Sequence, residues 1–280
     1  MADGTVTFDF STFDGDWQTQ EAEVIEEGQV TLFVNGRELA TLMCTPRDPA
    51  QLALGFLANE DLVSTLREVE ILHVCQGGGC VDAWLSHPGW DKPRRKIITS
   101  GCSGGQTFSD LQAQHTPLHS DLLIEPQKLA WLLAQLQDHN SLYARARGVH
   151  TSALSDGENL VLVAEDIGRH NTLDRLRGEC LRRGLDPAGM ILLSTGRISS
   201  EMIHKAVKMG CPVVGSRTSP TSLSVNLARA WNMTLCGYIR RNRMNVYAHP
   251  ERLLGYTPDA AEPADPLFTD CIISGSEGIG

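Results

Sequence analysis

The sequence predicts an α/β protein in two parts: a smaller α+β unit, then a layered domain built on largely parallel central strands. Three observations carry this. From residue 125 onward, short apolar runs alternate with segments of helical period, the pattern of a layered α/β domain. Upstream, Asn35-Gly36 lies between two apolar runs, the pair that tight hairpin turns prefer. The chain has 280 residues, 41% of them hydrophobic, enough for one large domain or two modest ones with cores of their own.

The elements follow in order. Residues 1–27 are acidic and weakly patterned and read as a loose arm with at most one strand. Val30–Met43 is the hairpin. Asp48-Pro49 supplies an N-cap and a first-turn proline for a helix to about Asn59. Strands at Glu70–Val74 and Lys96–Ile98 complete a small, β-rich subdomain over residues 28–124. Glu125-Pro126 opens an amphipathic helix through Gln137, with Leu129, Trp131, Leu132, Leu133 and Leu136 at helical spacing. Strands Val149–Leu154 and Leu160–Ala164 flank Asp156-Gly157. Helix Asn171–Arg183, strand Met190–Leu193, helix Ser200–Met209, strand Val213–Gly215, helix Thr221–Trp231 and strand Thr234–Ile239 then alternate. This α/β domain spans 125–256, and 257–280, rich in Pro, Gly and acids, reads as an irregular tail.

Net charge is −10, which argues against binding to nucleic acid or an anionic membrane. No apolar run reaches membrane-spanning length, and the acidic start Met1-Ala-Asp-Gly-Thr5 has no signal-peptide pattern, so a cytoplasmic protein is expected. Its eight cysteines are then expected as reduced thiols. Cys44, Cys180, Cys211 and Cys236 sit in apolar patterns and read as packed hydrophobes. Cys75-Gln-Gly-Gly-Gly-Cys80, with His73, reads as a soft-metal site or a glycine-rich turn; a structural metal needs four ligands, which favours the turn.

Cys102 differs from the other thiols. It sits in Thr99-Ser-Gly-Cys-Ser-Gly-Gly-Gln106, among glycines and small hydroxyls, with Arg94, Arg95 and Lys96 just upstream. Exposure and nearby positive charge favour a reactive thiolate.

The polar residues of the α/β half gather where its strands end. Glu165, Asp166, Arg169 and His170 follow one strand, Arg197 the next, Arg217 the third, and Arg240 the fourth. In open α/β sheets ligands bind beyond the carboxyl ends of the strands, and arginine suits phosphate. A ligand with several phosphates is therefore expected. No P-loop, Rossmann fingerprint, nucleophile elbow or zinc-deaminase signature is present.

Gly148-Val-His150, Glu165-Asp-Ile-Gly-Arg-His-Asn171, Ser194-Thr-Gly-Arg-Ile-Ser-Ser-Glu-Met202, Ser216-Arg-Thr-Ser-Pro-Thr221 and Met244-Asn-Val-Tyr247, in that order, resemble the FdhD/NarQ family. The resemblance runs from about Val30 to Leu254. It implies a three-layer, cytidine-deaminase-like C-terminal domain and a homodimer. It also implies a sulfurtransferase that takes persulfide sulfur from a cysteine desulfurase onto Cys102, in the carrier loop 99–106. That sulfur goes to the molybdenum (or tungsten) bis-guanine-dinucleotide cofactor for formate dehydrogenase. A guanine nucleotide is the expected mimic of this cofactor, and no structural metal is expected. Cofactor contacts carry over to Tyr238, Ile239, Arg240, Arg241, Asn242 and Arg243. Many members have Cys-x-x-Cys in the loop; here Gly105 replaces the second cysteine. A single-thiol relay is therefore expected, with Cys75 and Cys80 the only candidates for a resolving thiol. The alternative is a chaperone that holds the cofactor without sulfur chemistry.

Overall fold

The computed structural model of the chain describes residues 3–87, 97–98, 106–107, 115–138 and 141–258. The chain opens with a correction. Residues expected to form a loose arm make a hairpin, β1 (Thr5–Phe13) and β2 (Trp17–Ile25), antiparallel with Thr5 opposite Ile25 and Phe13 opposite Trp17. Val6, Phe8 and Phe10 alternate along β1, and Val24 and Ala22 face Val6 and Phe8 across the ladder, so one face is apolar.

A four-stranded sheet follows, in the order β4-β3-β6-β5. β3 (Gly28–Val34) and β4 (Arg37–Cys44) are the expected hairpin. Asn35 and Gly36 take φ of 50° and 73°, the double positive φ that a type I′ turn requires. β5 (Val69–Val74) pairs antiparallel with β6 (Cys80–Leu85), a strand the sequence reading missed, and β6 runs parallel to β3. Helix α1 (Pro49–Asn59) starts where Asp48 accepts a hydrogen bond from the Gln51 amide at 3.1 Å. It lays Leu52, Phe56 and Leu57 on Val30, Leu32, Val81 and Ala83. A short ladder, β7 (Ile97–Ile98) with β8 (Gln106–Thr107), comes next. Cys102 and the rest of the predicted carrier loop up to residue 105 lie outside the described residues.

Helix α2 (Pro126–Asp138) and the short α3 (Ser141–Ala146) lead into a six-stranded sheet. Its strands are β9 (His150–Ser155), β10 (Leu160–Asp166), β11 (Ile191–Ser194), β12 (Val213–Ser216), β13 (Thr234–Arg240) and β14 (Arg243–Ala248), in the order β10-β9-β11-β12-β13-β14. β11, β12 and β13 are parallel, as predicted; β9 is antiparallel to both its neighbours, and β14 is antiparallel to β13. Each face has its own core. Leu154, Leu192, Val214 and Leu235 meet helices α4 (Arg169–Arg183), α5 (Ser200–Lys208) and α6 (Ser222–Ala230). Ala153, Ile191, Leu193 and Val213 meet Leu129, Leu132, Leu133 and Leu136 of α2. The result is three layers, helix–sheet–helix. Trp131 departs from the predicted stripe: it is half exposed, with the Lys128 ammonium 4.5 Å from its ring centre.

The two parts meet where α1 crosses α4 through glycines. A Cβ at Gly55 would lie 1.6 Å from the Asp174 carbonyl oxygen, and one at Gly178 2.0 Å from that of Gln51, so no other residue fits between the backbones. Around this contact runs a buried polar seam. Asp174 accepts from Asn59 at 2.7 Å and from Lys205 at 2.7 and 2.8 Å, and Arg175 donates to the Thr45 carbonyl at 2.6 Å. The β1–β2 hairpin is tied down separately, by Arg145 of α3, which pairs with Glu23 and Asp3. No helix among the described residues is long and apolar enough to cross a membrane.

The described cysteines divide in two. Cys44, Cys180, Cys211 and Cys236 are buried, and burial raises their thiol pKa values, to about 12 for Cys44 and Cys236 and about 11 for Cys180. Cys75 and Cys80 correct the expectation of reduced thiols throughout. The β5–β6 turn sets them opposite one another, Cα to Cα 5.3 Å, and they are disulfide-bonded.

Candidate functional site

The functional edge of the main sheet follows from its strand directions. β10, β11, β12 and β13 run the same way, so their carboxyl ends share one edge. β9 and β14 run the opposite way, which brings their first residues, His150 and Arg243, to that same edge. Serines close the strand ends. Ser194 and Ser216 sit in register and are fully buried. Their hydroxyls accept from the Gly196 and Thr218 amides at 3.1 Å, so each folds its own exit loop. The Ser216 hydroxyl also donates to the Gly196 carbonyl at 2.6 Å, joining the two loops.

On this frame Arg217 and Arg240 come together, with an Arg240 guanidinium nitrogen donating to the Arg217 carbonyl at 2.7 Å. Both line a cavity of about 300 Å³, walled also by Tyr143, Val149, His150, Thr195 and Thr218. Arg241 and Asn242 form the β13–β14 turn and, with Arg243 at the start of β14, line a neighbouring cavity of about 400 Å³ with Pro126 and Gln127. Tyr238 is exposed at the start of a β-bulge with φ of 52°, a strained conformation for a non-glycine residue, and its amide donates to the Thr218 carbonyl at 3.1 Å. It lines a further recess with Arg240, Arg243 and Asn245. Among the described residues, none of Arg197, Arg217, Arg240, Arg241 and Arg243 forms a salt bridge. They concentrate positive charge along this edge of a chain whose net charge is −10.

The remaining candidates fall elsewhere. Arg169, the first residue of α4, is buried and lies beside Gly196 and His150. Arg197 is exposed. His170 is buried against Ser199 at 3.1 Å and the Glu201 carboxylate at 3.3 Å; burial, then the Lys205 and Arg169 charges, outweighs that carboxylate and lowers its pKa to about 2. Ile239 belongs to the core beneath the site, with 2% of its surface exposed.

Two expected cofactor contacts are committed to the protein itself. Glu165 accepts hydrogen bonds from the Ser141 hydroxyl and the Leu142 and Tyr143 amides at 3.2–3.4 Å, which caps α3. Asp166 is fully buried and accepts from Arg175, Asn171 and the Gly168 amide at 2.8 Å and from the Thr45 amide at 3.3 Å. Neither carboxylate faces the cleft with a free oxygen, because each serves orphan amides at a chain junction.

His150 and Tyr143 were missed as wall residues. His150 opens an antiparallel strand, so a search of strand ends alone passes over it. Burial, then the Arg169 charge, depresses its pKa, so it presents a neutral ring beside the arginines.

The chain matches known proteins over most of its length. A profile of the FdhD/NarQ family matches residues 25–254. The chain is 35% identical to a sulfur carrier protein FdhD of Bacillus subtilis (strain 168) over 245 residues, 85% of this chain and 93% of that one. It is 34% identical over 238 residues to a sulfur carrier protein FdhD of Staphylococcus aureus (strain MRSA252), 83% of this chain and 89% of that one. A crystal structure from Desulfotalea psychrophila, described as a formate dehydrogenase accessory protein, superposes with a TM-score of 0.75 at 25% identity, covering 90% of this chain and all of that one.

Proposed function

Because the chain belongs to the FdhD/NarQ family, we propose that it is a sulfur carrier serving a formate dehydrogenase, and that its chemistry is persulfide transfer. A cysteine desulfurase loads sulfur onto Cys102. The persulfide sulfur then passes to the molybdenum (or tungsten) bis-guanine-dinucleotide cofactor, held as substrate at the strand-end edge. The observation that supports the cofactor half is the pairing of Arg217 with Arg240 over a cavity that also carries His150 and Tyr143. Pyrophosphate suits the guanidinium groups. The exposed Tyr238 ring and the neutral His150 offer planar and hydrogen-bonding surfaces for a base. Arg240, Arg241 and Arg243 each line more than one of the recesses along this edge, which suits a ligand with more than one phosphorylated arm.

The reading includes a cytoplasmic location and a homodimer, and light scattering on the purified protein tests the dimer. Sulfur transfer is tested by intact mass spectrometry after incubation with a cysteine desulfurase and cysteine. The expected result is a gain of one sulfur on the wild type and none on Cys102→Ala, with that variant failing to activate a co-expressed formate dehydrogenase. A wild type that takes up no sulfur yet activates the client leaves the cofactor chaperone as the correct reading.

A further inference from the structure

Cys75 and Cys80 are the two described cysteines that are not buried, and the carrier reading gives them no task. Their geometry is set by the backbone. The Cys75 amide donates to the Cys80 carbonyl at 3.0 Å, and the Gly78 amide donates back to the Cys75 carbonyl at 2.9 Å. The Thr31 amide donates to the Gly79 carbonyl at 3.0 Å, which fastens the turn to the neighbouring strand β3. None of these bonds involves sulfur. The two Cα atoms are thus held 5.3 Å apart, within the range for a disulfide, by a frame that does not depend on the S–S bond. Both residues are partly exposed, and a Cβ at Gly77 or at Gly79 would meet nothing within 4 Å, so open space adjoins the pair. Access to the sulfur under attack is what thiol–disulfide exchange needs. The four buried thiols lack that access and are held protonated.

We propose that Cys75 and Cys80 form a reversible dithiol–disulfide couple that exchanges with S–S bonds carried by other molecules, a redox site on the N-terminal sheet apart from the strand-end cleft. In the oxidising direction one cysteine thiolate attacks a sulfur of the incoming S–S bond. That bond breaks, a new one forms to the cysteine, and the departing thiolate takes up a proton. The second cysteine thiolate then attacks the mixed disulfide and expels the other half. Two cysteine thiols lose two electrons, and the incoming S–S bond gains them. A disulfide leaves as two thiols; a persulfide leaves as a thiol and hydrogen sulfide. A dithiol reductant drives the reverse by the same two displacements. The proposal does not rest on the carrier role of Cys102.

The test uses the full chain. Protein reduced and freed of reductant is equilibrated with mixtures of glutathione and glutathione disulfide, quenched in acid, alkylated and mapped by mass spectrometry. A parallel arm supplies glutathione persulfide and measures sulfide. The expected result is loss of two hydrogens at Cys75 and Cys80, with the same midpoint approached from either side and an unchanged circular dichroism spectrum. Sulfide released in the persulfide arm should match disulfide formed one for one, less what a Cys75→Ser, Cys80→Ser variant releases. Cys75→Ser alone should trap a mixed disulfide on Cys80. Two outcomes overturn the proposal: both thiols remaining alkylatable at the most oxidising ratio, or a disulfide that a dithiol reduces only once urea has unfolded the chain. Loss of this exchange with Cys102 loading intact would remove the couple and leave the carrier reading standing.

Discussion

Gly178→Ala should destabilise this protein even though alanine is the better helix former. In an ordinary helix interior the change is worth about 1 kcal/mol in favour of alanine. Here the new Cβ would lie 2.0 Å from the Gln51 carbonyl oxygen, 2.9 Å from its carbon and 3.0 Å from the Gly55 amide nitrogen. All three are backbone atoms and cannot rotate away. Ordinary contact lies near ~3.5 Å, so α1 and α4 must part by roughly 1.5 Å. Overpacking of this kind costs about 1–3 kcal/mol. Parting the helices also lengthens the buried Asn59–Asp174 and Arg175–Thr45 hydrogen bonds, now 2.7 and 2.6 Å, and each buried partner left unsatisfied costs about 1–3 kcal/mol. Against the helix gain, the net loss is roughly 2–8 kcal/mol. With a urea slope of about 2–3 kcal/mol per molar, the unfolding midpoint falls by about 1 M or more. Equilibrium urea unfolding followed by tryptophan fluorescence measures this. A midpoint unchanged or raised would refute the claim that the two backbones touch here.

Three other outcomes are expected. Arg217→Ala and Arg240→Ala should each weaken guanosine diphosphate binding by about 1–3 kcal/mol, the worth of a charged hydrogen bond, and calorimetry reads it; equal affinity in both would make them ordinary surface cations. His170 is buried neutral with its pKa lowered to about 2, so the unfolded chain binds a proton that the folded one refuses as pH falls below ~6.5. Its contribution is therefore intact above that pH and lost at up to about 1.4 kcal/mol per pH unit below it, so urea midpoints for His170→Gln should fall less between pH 7 and pH 5 than those of the wild type; parallel curves would contradict the assignment. Glu165→Ala should remove the α3 cap at a cost of about 0.5–2 kcal/mol and speed amide exchange across residues 141–146, with the main sheet unaffected. Unchanged exchange there would mean another group holds the helix.

The parts of the fold legible in sequence are those whose signals are local. Asn35-Gly36 fixed its turn because few residues tolerate two positive φ values in a row, and Asp48-Pro49 announced α1 through its cap. The parallel core strands β11, β12 and β13 showed as apolar runs between helices, each within a residue or two of its observed ends. What escaped was masked by polar neighbours. Val6, Phe8 and Phe10 alternate perfectly, yet the acids around them made residues 1–27 read as a loose arm with at most one strand. The β14 strand hid behind the arginine-rich turn that precedes it. At the strand ends, the exit rule brought Arg217 and Arg240 to one edge, where the Arg240 guanidinium meets the Arg217 carbonyl. That the oxygens of Glu165 serve the amides of α3, and those of Asp166 serve Arg175 and Asn171, was not legible, because no local pattern encodes those long-range partners. His150 was overlooked because it enters the edge from an antiparallel strand, a direction that no local pattern encodes.

The cavity at the strand ends has unequal jaws. His150, Thr195 and Arg217 stand on or directly beside paired strands of the main sheet, so that side is braced by the ladder. Tyr143 stands on a helix of six residues whose leading amides hang from one carboxylate, Glu165. The same short helix carries Arg145, the clasp on the β1–β2 hairpin. Hairpin, helix and Tyr143 are therefore one connected piece, joined to the edge strand through Glu165, while the opposite wall is continuous with the sheet itself.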